Sequence, residues 1–412
     1  MEILYSNCCG IDVHARMLVA CLVKDGKKEI RTFSTMTDDL LKLLDWLQSG
    51  ACTHVAIEST GVYWKPVFNI LEGAMEVILT NARDAKGFKA RKTDVIDAEW
   101  LADLLRHGLL KASFIPPLEI RELRELTRYR EGLIRERTAL ANRIQKLAES
   151  ANIKLAQVAS DALGLSGKLM LRALARGESN VEKISDYAKG RLKSKKAELQ
   201  RAVAGRLTTN QRWVLSELLD KYEQSDEAIK RVEARLREEV EKNADPFVRE
   251  AVILLQTIVG IGETVAWVIV SEIGVEMAQF LSAKHLSSWA GMCPGNHESA
   301  GKRKSGKTTK GSRYLRQALV QAAWAATHAK DSYLSAQYRR MVKRMGKKKA
   351  LVAVAHSLLV IAYEVIKEKT PYREMGGDYF EKRDVEKKRK KLIKQLEAMG
   401  LKVTVEELED AA

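Results

Sequence analysis

The sequence holds only five cysteines, Cys8, Cys9, Cys21, Cys52 and Cys293, and none stands in a CxxC pair or at a Cys/His ligand spacing. An odd, scattered set excludes a disulfide framework and argues against a zinc site; it reads as reduced thiols of a cytoplasmic protein. There is no Walker loop, zinc finger, bZIP basic region or RNP aromatic pattern, so none of the familiar base-edge reading modules is present. The N-terminal MEILYSNCCG lacks a basic n-region and a long apolar core, so no signal peptide is expected. The most apolar late stretch, ALVAVAHSLLVIAYEVI (350–366), is interrupted by His356, Ser357 and Glu364. Its unbroken apolar length falls short of a membrane span and predicts a buried helix. Acid is also in short supply. Lys and Arg number 70 against 54 Asp and Glu, a net charge of +16 over 412 residues. Such an excess, clustered along the chain, points to a polyanionic partner, with nucleic acid the first candidate.

The chain is long enough for several domains. Residues 1–80 alternate strand-like and helix-like pieces, within a first domain assigned to 1–115. LYSNCCGIDVH and RMLVACLVKDG are apolar and β-branched, Asp25-Gly26 is a hairpin signal, and KEIRTFST reads as a third strand. TDDLLKLLDWLQSG is a helix with Thr37 as N-cap candidate and Gly50 closing it, followed by strand THVAIES, helix WKPVFNILEG and strand MEVILT. Three meandering strands followed by helix–strand–helix–strand predict an α/β domain with a mixed sheet. Pro116-Pro117 closes it, and 116–247 is predicted helical. Leu126, Leu133, Leu140 and Leu147 fall one heptad apart, while Leu123, Arg130, Arg137 and Ile144 share a companion track. A second heptad-like run over 214–240 suggests a coiled-coil arm, either folded back on itself or pairing chains. A helical C-terminal domain is assigned to 248–371 and a charged tail to 372–412. At its start LLQTIVGIGETVAWVIVSEIG (254–274) reads as helix, Gly-x-Gly turn, helix. That element is either a phosphate-holding helix–hairpin–helix or a tight turn in a bundle.

Two groups of residues carry chemistry. Asp12 sits inside the apolar strand CCGIDVH, where a charge is costly unless paired or metal-bound. Glu58 ends the strand HVAIE, and Asp94 and Asp97 in KTDVIDA stand three apart, on one face of a helix. Four acids with no Cys or His ligand set suit a hard divalent cation such as Mg²⁺, and two such ions clamp the oxygens of a phosphodiester. The bland alternatives are an N-cap (Asp94) with a first-turn acid (Asp97), and a hydrogen-bonded core aspartate (Asp12). His14 shares the face of Asp12, where it either touches substrate or fills the sheet edge. The second group is CPGNHESAGKRKSGKTTKGSRYLRQAL (293–319). Lys302, Arg303, Lys304, Lys307, Lys310, Arg313 and Arg316 lie there without an intervening acid. Gly301, Gly306 and Gly311 keep the backbone pliable for close approach to phosphates. A serine among these cations, Ser299 or Ser305, could be a nucleophile toward phosphorus; the bland reading is a flexible binding loop.

Taken together, GIDVH, AIESTGVYW, KTDVIDA, GIGETVAWVIVSEIG, FLSAKHLSSWAGMCPGNHESAGKRKSGKTTKG and RYLRQALVQAAWAA resemble the DEDD-type insertion-sequence transposases, the family numbered one-ten, with spacing most like its eleven-eleven subgroup. The resemblance covers 1–110 and 250–370, and the middle only by helical character. It implies a RuvC-like, RNase H-type N-terminal domain in which Asp12, Glu58, Asp94 and Asp97 match the metal-binding acids. It also implies a C-terminal domain with a nucleophilic serine, placed at Ser299 in NHESAGK, Ser305 being the alternative. An element-encoded guide RNA that pairs with donor and target DNA is implied as well. So are dimers or tetramers whose active sites join the acids of one chain to the serine of another, and a bacterial cytoplasmic setting at the nucleoid. The expected activity is DNA strand cleavage and exchange through a phosphoserine link. Its rivals are a metal-dependent junction nuclease using water and a non-catalytic nucleic-acid scaffold.

Overall fold

The computed structural model describes residues 2–59, 61–81, 93–295, 297–299, 302–400 and 402–404. The chain divides into two compact units, Met1–Ile115 and Pro116–Ala412. The first is built on strands β1 (Cys8–Val13), β2 (Met17–Lys24), β3 (Lys27–Ser34), β4 (His54–Glu58) and β5 (Glu76–Thr80), with helices α1 (Thr37–Ser49), α2 (Trp64–Leu71) and α3 (Asp94–Arg106). Strand order is β3-β2-β1-β4-β5. The meander β1-β2-β3 is antiparallel, whereas β4 and β5 run parallel to β1. At the β2–β3 turn Asp25 and Gly26 both adopt positive φ, 48° and 81°, the conformation a two-residue hairpin demands. Thr37 is not the cap of α1: the helix starts at Thr37 itself, and the preceding Met36 makes no side-chain cap. Its amide is instead held by the Ser34 hydroxyl.

Period-two alternation gives the sheet two buried faces. Cys9, Ile11, Val13, Leu18, Ala20, Leu22, Val55 and Ile57 pack against Leu40, Leu43 and Leu47 of α1 and Val67 and Leu71 of α2. Cys8, Val19, Cys21, Val23 and Ala56 pack against Ala98, Leu101, Ala102 and Leu105 of α3. Gly10 lies on this second face. A Cβ there would come within 2.3 Å of the Ala98 carbonyl oxygen and 2.4 Å of the Ala102 amide nitrogen. A glycine inside a strand marks close backbone approach, and here it lets α3 settle directly on β1.

Among its described residues the second unit is helical, with two short 3₁₀ segments and one hairpin. Its helices are α4 (Leu118–Ser150), α5 (Leu155–Val158), α6 (Leu165–Ala175), α7 (Val181–Ser185), α8 (Lys196–Val203), α9 (Thr209–Glu241), α10 (Pro246–Leu255), α11 (Glu263–Ile273), α12 (Ala283–Trp289), α13 (Arg313–Thr327), α14 (Tyr333–Met345), α15 (Lys347–Glu368) and α16 (Tyr379–Ala398), with strands β6 (His297–Ser299) and β7 (Lys302–Ser305) between α12 and α13. Helices α4 and α9 pair with each other, so the two heptad runs fold back within one chain. Their antiparallel sense shows in two ion pairs, Arg130 with Glu233 and Arg137 with Asp226. Leu123, Leu133 and Ile144 of α4 are buried, as are Ile229, Val232, Leu236 and Val240 of α9. The arginines that interrupt the companion track are thus answered by acids on the facing helix. Helix α15 passes by length and composition as a membrane span, yet it packs among α10, α12, α13 and α14 and buries Val354, Leu358, Leu359 and Ile366.

The Gly-x-Gly turn between α10 and α11 packs inward. Gly260, at φ +91°, approaches the Ala322 carbonyl oxygen so closely that a Cβ would lie 2.4 Å from it. Glu263, first residue of α11, is bound by the Arg237 guanidinium at 2.7 Å. The geometry is that of a tight turn within a bundle.

Candidate active site

Strands β1 and β4 are adjacent and parallel, with Ile11 opposite Ile57. One residue further on, Asp12 and Glu58 come out at the same sheet edge. By alternation both belong to the face that carries α3, with Gly10 and Ala56. Helix α3 then adds Asp94 and Asp97 from its first turn. The helix is capped not by Asp94 but by Thr93, whose hydroxyl accepts from the Ile96 amide at 3.3 Å. Asp94 is therefore released from backbone duty. Asp97 is 8% exposed and Asp12 9%.

Burial raises the Asp12 carboxyl above the ordinary aspartate range. His14 pulls it down, and Asp94, Asp97 and Glu58 each push it further up. The acids from strand, strand and helix thus act on one carboxylate. His14 partly relieves this. Its Nε2 stands 3.4 Å from Asp12 Oδ2 and 3.3 Å from Asp94 Oδ1. One donor atom each from Asp12, His14 and Asp94 lie within 4.8 Å of one another. Two carboxylate oxygens and an imidazole, with no thiolate, fit a divalent cation of the Mg²⁺ or Mn²⁺ kind. The bridging position of His14 is new; its place two residues after Asp12 was visible, its contact with α3 was not. Gly10, which sets that contact, stands out only as the one glycine in an apolar strand.

The serine segment is a short antiparallel hairpin. His297 pairs with Ser305, Glu298 with Arg303 and Ser299 with Lys302, with a bulge after His297. Ser299 ends β6 and Ser305 ends β7. The side chains of Ser299, Ser305, Arg303 and Lys304, and Gly301 as a whole, lie outside what the structure describes. Lys302, Lys307, Lys310 and Arg313 are exposed, and Arg316 is half-buried. The hairpin's base is fixed rather than pliable. Gly295 N–H donates to the Lys307 carbonyl at 2.9 Å. Gly311 lies against the 290–291 peptide so tightly that a Cβ would meet the Ala290 oxygen at 2.3 Å. Next in sequence, Ser312 caps α13 and donates to Glu272 Oε2 at 2.9 Å. Glu272, 1% exposed, also accepts two bonds from Arg128 at 2.8 and 3.0 Å.

Fold and site define a class first: an α/β domain with a carboxylate cluster at a sheet edge, joined to a helical unit that bears a basic, glycine-flanked serine hairpin. The family follows from sequence. Residues 9–153 match the DEDD transposase model of the IS110 type, and residues 252–339 match the model described as "Transposase IS116/IS110/IS902 family". The chain belongs to the IS110 family of insertion-sequence transposases. Among curated relatives, it is 32% identical over 137 residues to the "Pilin gene-inverting protein" of Moraxella bovis, 32% of this chain and 41% of that one. The counterpart in Moraxella lacunata matches to the same extent. The matched stretch thus spans about two-fifths of those two relatives. It is 22% identical over 369 residues to the "Transposase for insertion sequence element IS1111A" of Coxiella burnetii, 88% of this chain and 90% of that one.

Proposed function

We propose that this protein is a DNA transposase or recombinase that cuts and rejoins strands through a transient phosphoserine. The observation that carries the reading is the convergence of Glu58, Asp94 and Asp97 on the buried Asp12. The five-stranded order β3-β2-β1-β4-β5 supports a RuvC-like, RNase H-type domain. Asp12, Glu58, Asp94 and Asp97 are its metal-binding acids, and Mg²⁺ is the ion proposed. When bound, the metal polarises the scissile phosphate and stabilises developing charge on the leaving oxygen. Ser299 Oγ attacks phosphorus, one Oγ–P ester forms, one P–O ester of the strand breaks, and the leaving sugar oxygen takes up a proton. A second strand's hydroxyl then attacks the phosphoserine and restores Ser299, so rejoining needs no nucleotide hydrolysis. Lys302, Arg303, Lys304, Lys307, Lys310, Arg313 and Arg316 hold the nucleic-acid backbone. We assign the α4–α9 arm to holding partner chains and RNA.

The absence of a base-reading module accords with sequence choice by pairing, and we assign that role to a guide RNA encoded by the element. Donor and target DNA are the substrates, in a homodimer or homotetramer that combines acids and serine from different chains. The test is denaturing electrophoresis of labelled DNA after reaction with wild type and with Ser299→Ala, Ser305→Ala and Asp97→Asn. Protein-linked DNA that disappears only with Ser299→Ala and Asp97→Asn supports the reading. Linked DNA persisting in Ser299→Ala excludes this serine. Cutting by Ser299→Ala without linkage turns the protein into a nuclease that uses water.

A further inference from the structure

We infer that His14 supplies a nitrogen ligand to the divalent ion held by Asp12 and Asp94, and so tilts the site toward Mn²⁺ over Mg²⁺. The inference deepens the proposed metal-dependent reading and rests on it. Its basis is the placement of one side chain. His14 follows β1 directly and sits at the rim of the acid cluster, 48% exposed. Its Nε2 is 3.4 Å from Asp12 Oδ2 and 3.3 Å from Asp94 Oδ1, carboxylates delivered by different elements, β1 and α3. Adjacent ligands of an octahedral ion with bonds of about 2.1 Å are about 3.0 Å apart, from the bond length and a right angle. Both separations are within a few tenths of an ångström of that edge. The third edge, between the Asp12 and Asp94 donor atoms, lies within 4.8 Å.

Chemistry then sets the preference. Mg²⁺ favours oxygen donors and keeps several waters, whereas Mn²⁺, although carboxylates suit it too, is a first-row transition ion that also accepts an imidazole nitrogen. A quartet of carboxylates alone offers only oxygen. One imidazole among them adds the donor that separates the two ions. The competing role for His14 is that of a resident cation balancing the acids while no metal is bound. The two roles make opposite predictions. A ligand strengthens Mn²⁺ binding; a resident cation must be displaced and weakens it.

The experiment uses the full-length protein, with Mn²⁺ and Mg²⁺ chloride as probes. Mn²⁺ binding is followed by electron paramagnetic resonance, Mg²⁺ by competition, and ¹⁴N coupling to bound Mn²⁺ by electron spin-echo modulation. Wild type is expected to show ¹⁴N coupling, and His14→Asn to lose it together with about 10- to 100-fold in Mn²⁺ affinity, the scale seen when a metal site loses a supporting group. Mg²⁺ affinity should change far less. Wild-type Mn²⁺ binding without ¹⁴N coupling, or tighter Mn²⁺ binding by His14→Asn, overturns the inference and leaves the carboxylate site standing. Failure of wild type to bind either ion overturns both. If His14→Asn does not fold, the wild-type coupling still decides, with His14→Gln as the second variant.

Discussion

Gly10→Ala is the most searching perturbation of the site, because it touches no carboxylate. The added methyl would lie 2.3 Å from the Ala98 oxygen and 2.4 Å from the Ala102 nitrogen, both backbone atoms of α3. Ordinary contact begins at 3.4 Å, so the helix must retreat by about 1.1 Å or β1 must bend away. Overpacking of this kind costs about 1 to 3 kcal/mol. For a unit of this size that is roughly 4 to 8 °C of melting temperature per kcal/mol. The same retreat carries Asp94 and Asp97 away from Asp12 and Glu58. Misplacement of about 1 Å in a catalytic constellation can lower rate about 100-fold. Differential scanning calorimetry, with and without Mn²⁺ or Mg²⁺, should show a lower transition and a reduced upward shift on adding the ion. A Gly10→Ala protein with wild-type melting and the full ion response would refute the claim that glycine at this position sets the helix–strand approach and, through it, the site.

Two further outcomes follow from charge. Asp12→Asn should raise the melting temperature of the metal-free protein and abolish its response to divalent ions. At 4.8 Å, the outer limit on the Asp12–Asp94 separation, two unit charges repel by about 0.9 kcal/mol at the dielectric of water and about 3.5 at an effective value of 20. With Asp94 half-exposed and His14 opposing, a gain of about 1 kcal/mol is expected. Glu272→Ala should destabilise the second unit by about 3 kcal/mol in urea denaturation, near the lower bound for breaking a buried pair, because Arg128 keeps 38% exposure; Glu272→Gln, which retains the acceptor for Ser312, should recover part of the loss.

Much of the first unit was legible because its signals are local. The apolar runs CCGIDV and HVAIE, the Asp-Gly turn and the helical spacing of TDDLLKLLDWLQS each dictate one element. That β1 and β4 would be neighbours, with Asp12 and Glu58 at one edge, was inferable from two apolar, central strands that each carry an acid near the C-terminal end. What stayed hidden depends on contacts between elements. In KTDVIDA the bland alternative made Asp94 the cap, and the structure shows that Thr93 takes that role instead. The companion track of α4 looked defective at Arg130 and Arg137 until Glu233 and Asp226 appeared opposite, about 90 to 100 residues away in sequence. Gly311 read as pliable, yet it is a contact glycine, since close packing and backbone freedom leave the same letter in a sequence.

The acid cluster and the hairpin base share one physical design. In each, charged groups are held by backbone that cannot easily relax: Gly10 presses α3 on β1, and Gly311 presses the hairpin's end on the 290–291 turn. Relaxation is what normally lowers the cost of crowded like charges, by letting side chains swing to solvent. Asp12 cannot do so; it is buried in a strand paired on both sides, by β2 and β4. Burial is the main reason its carboxyl is raised, and the neighbouring acids push it further in the same direction. A cation entering there would discharge repulsion that is already built in, so ion binding and the seating of α3 on the sheet should strengthen together. That coupling is why a methyl group at Gly10, remote from any ligand atom, is expected to be read out as lost ion response.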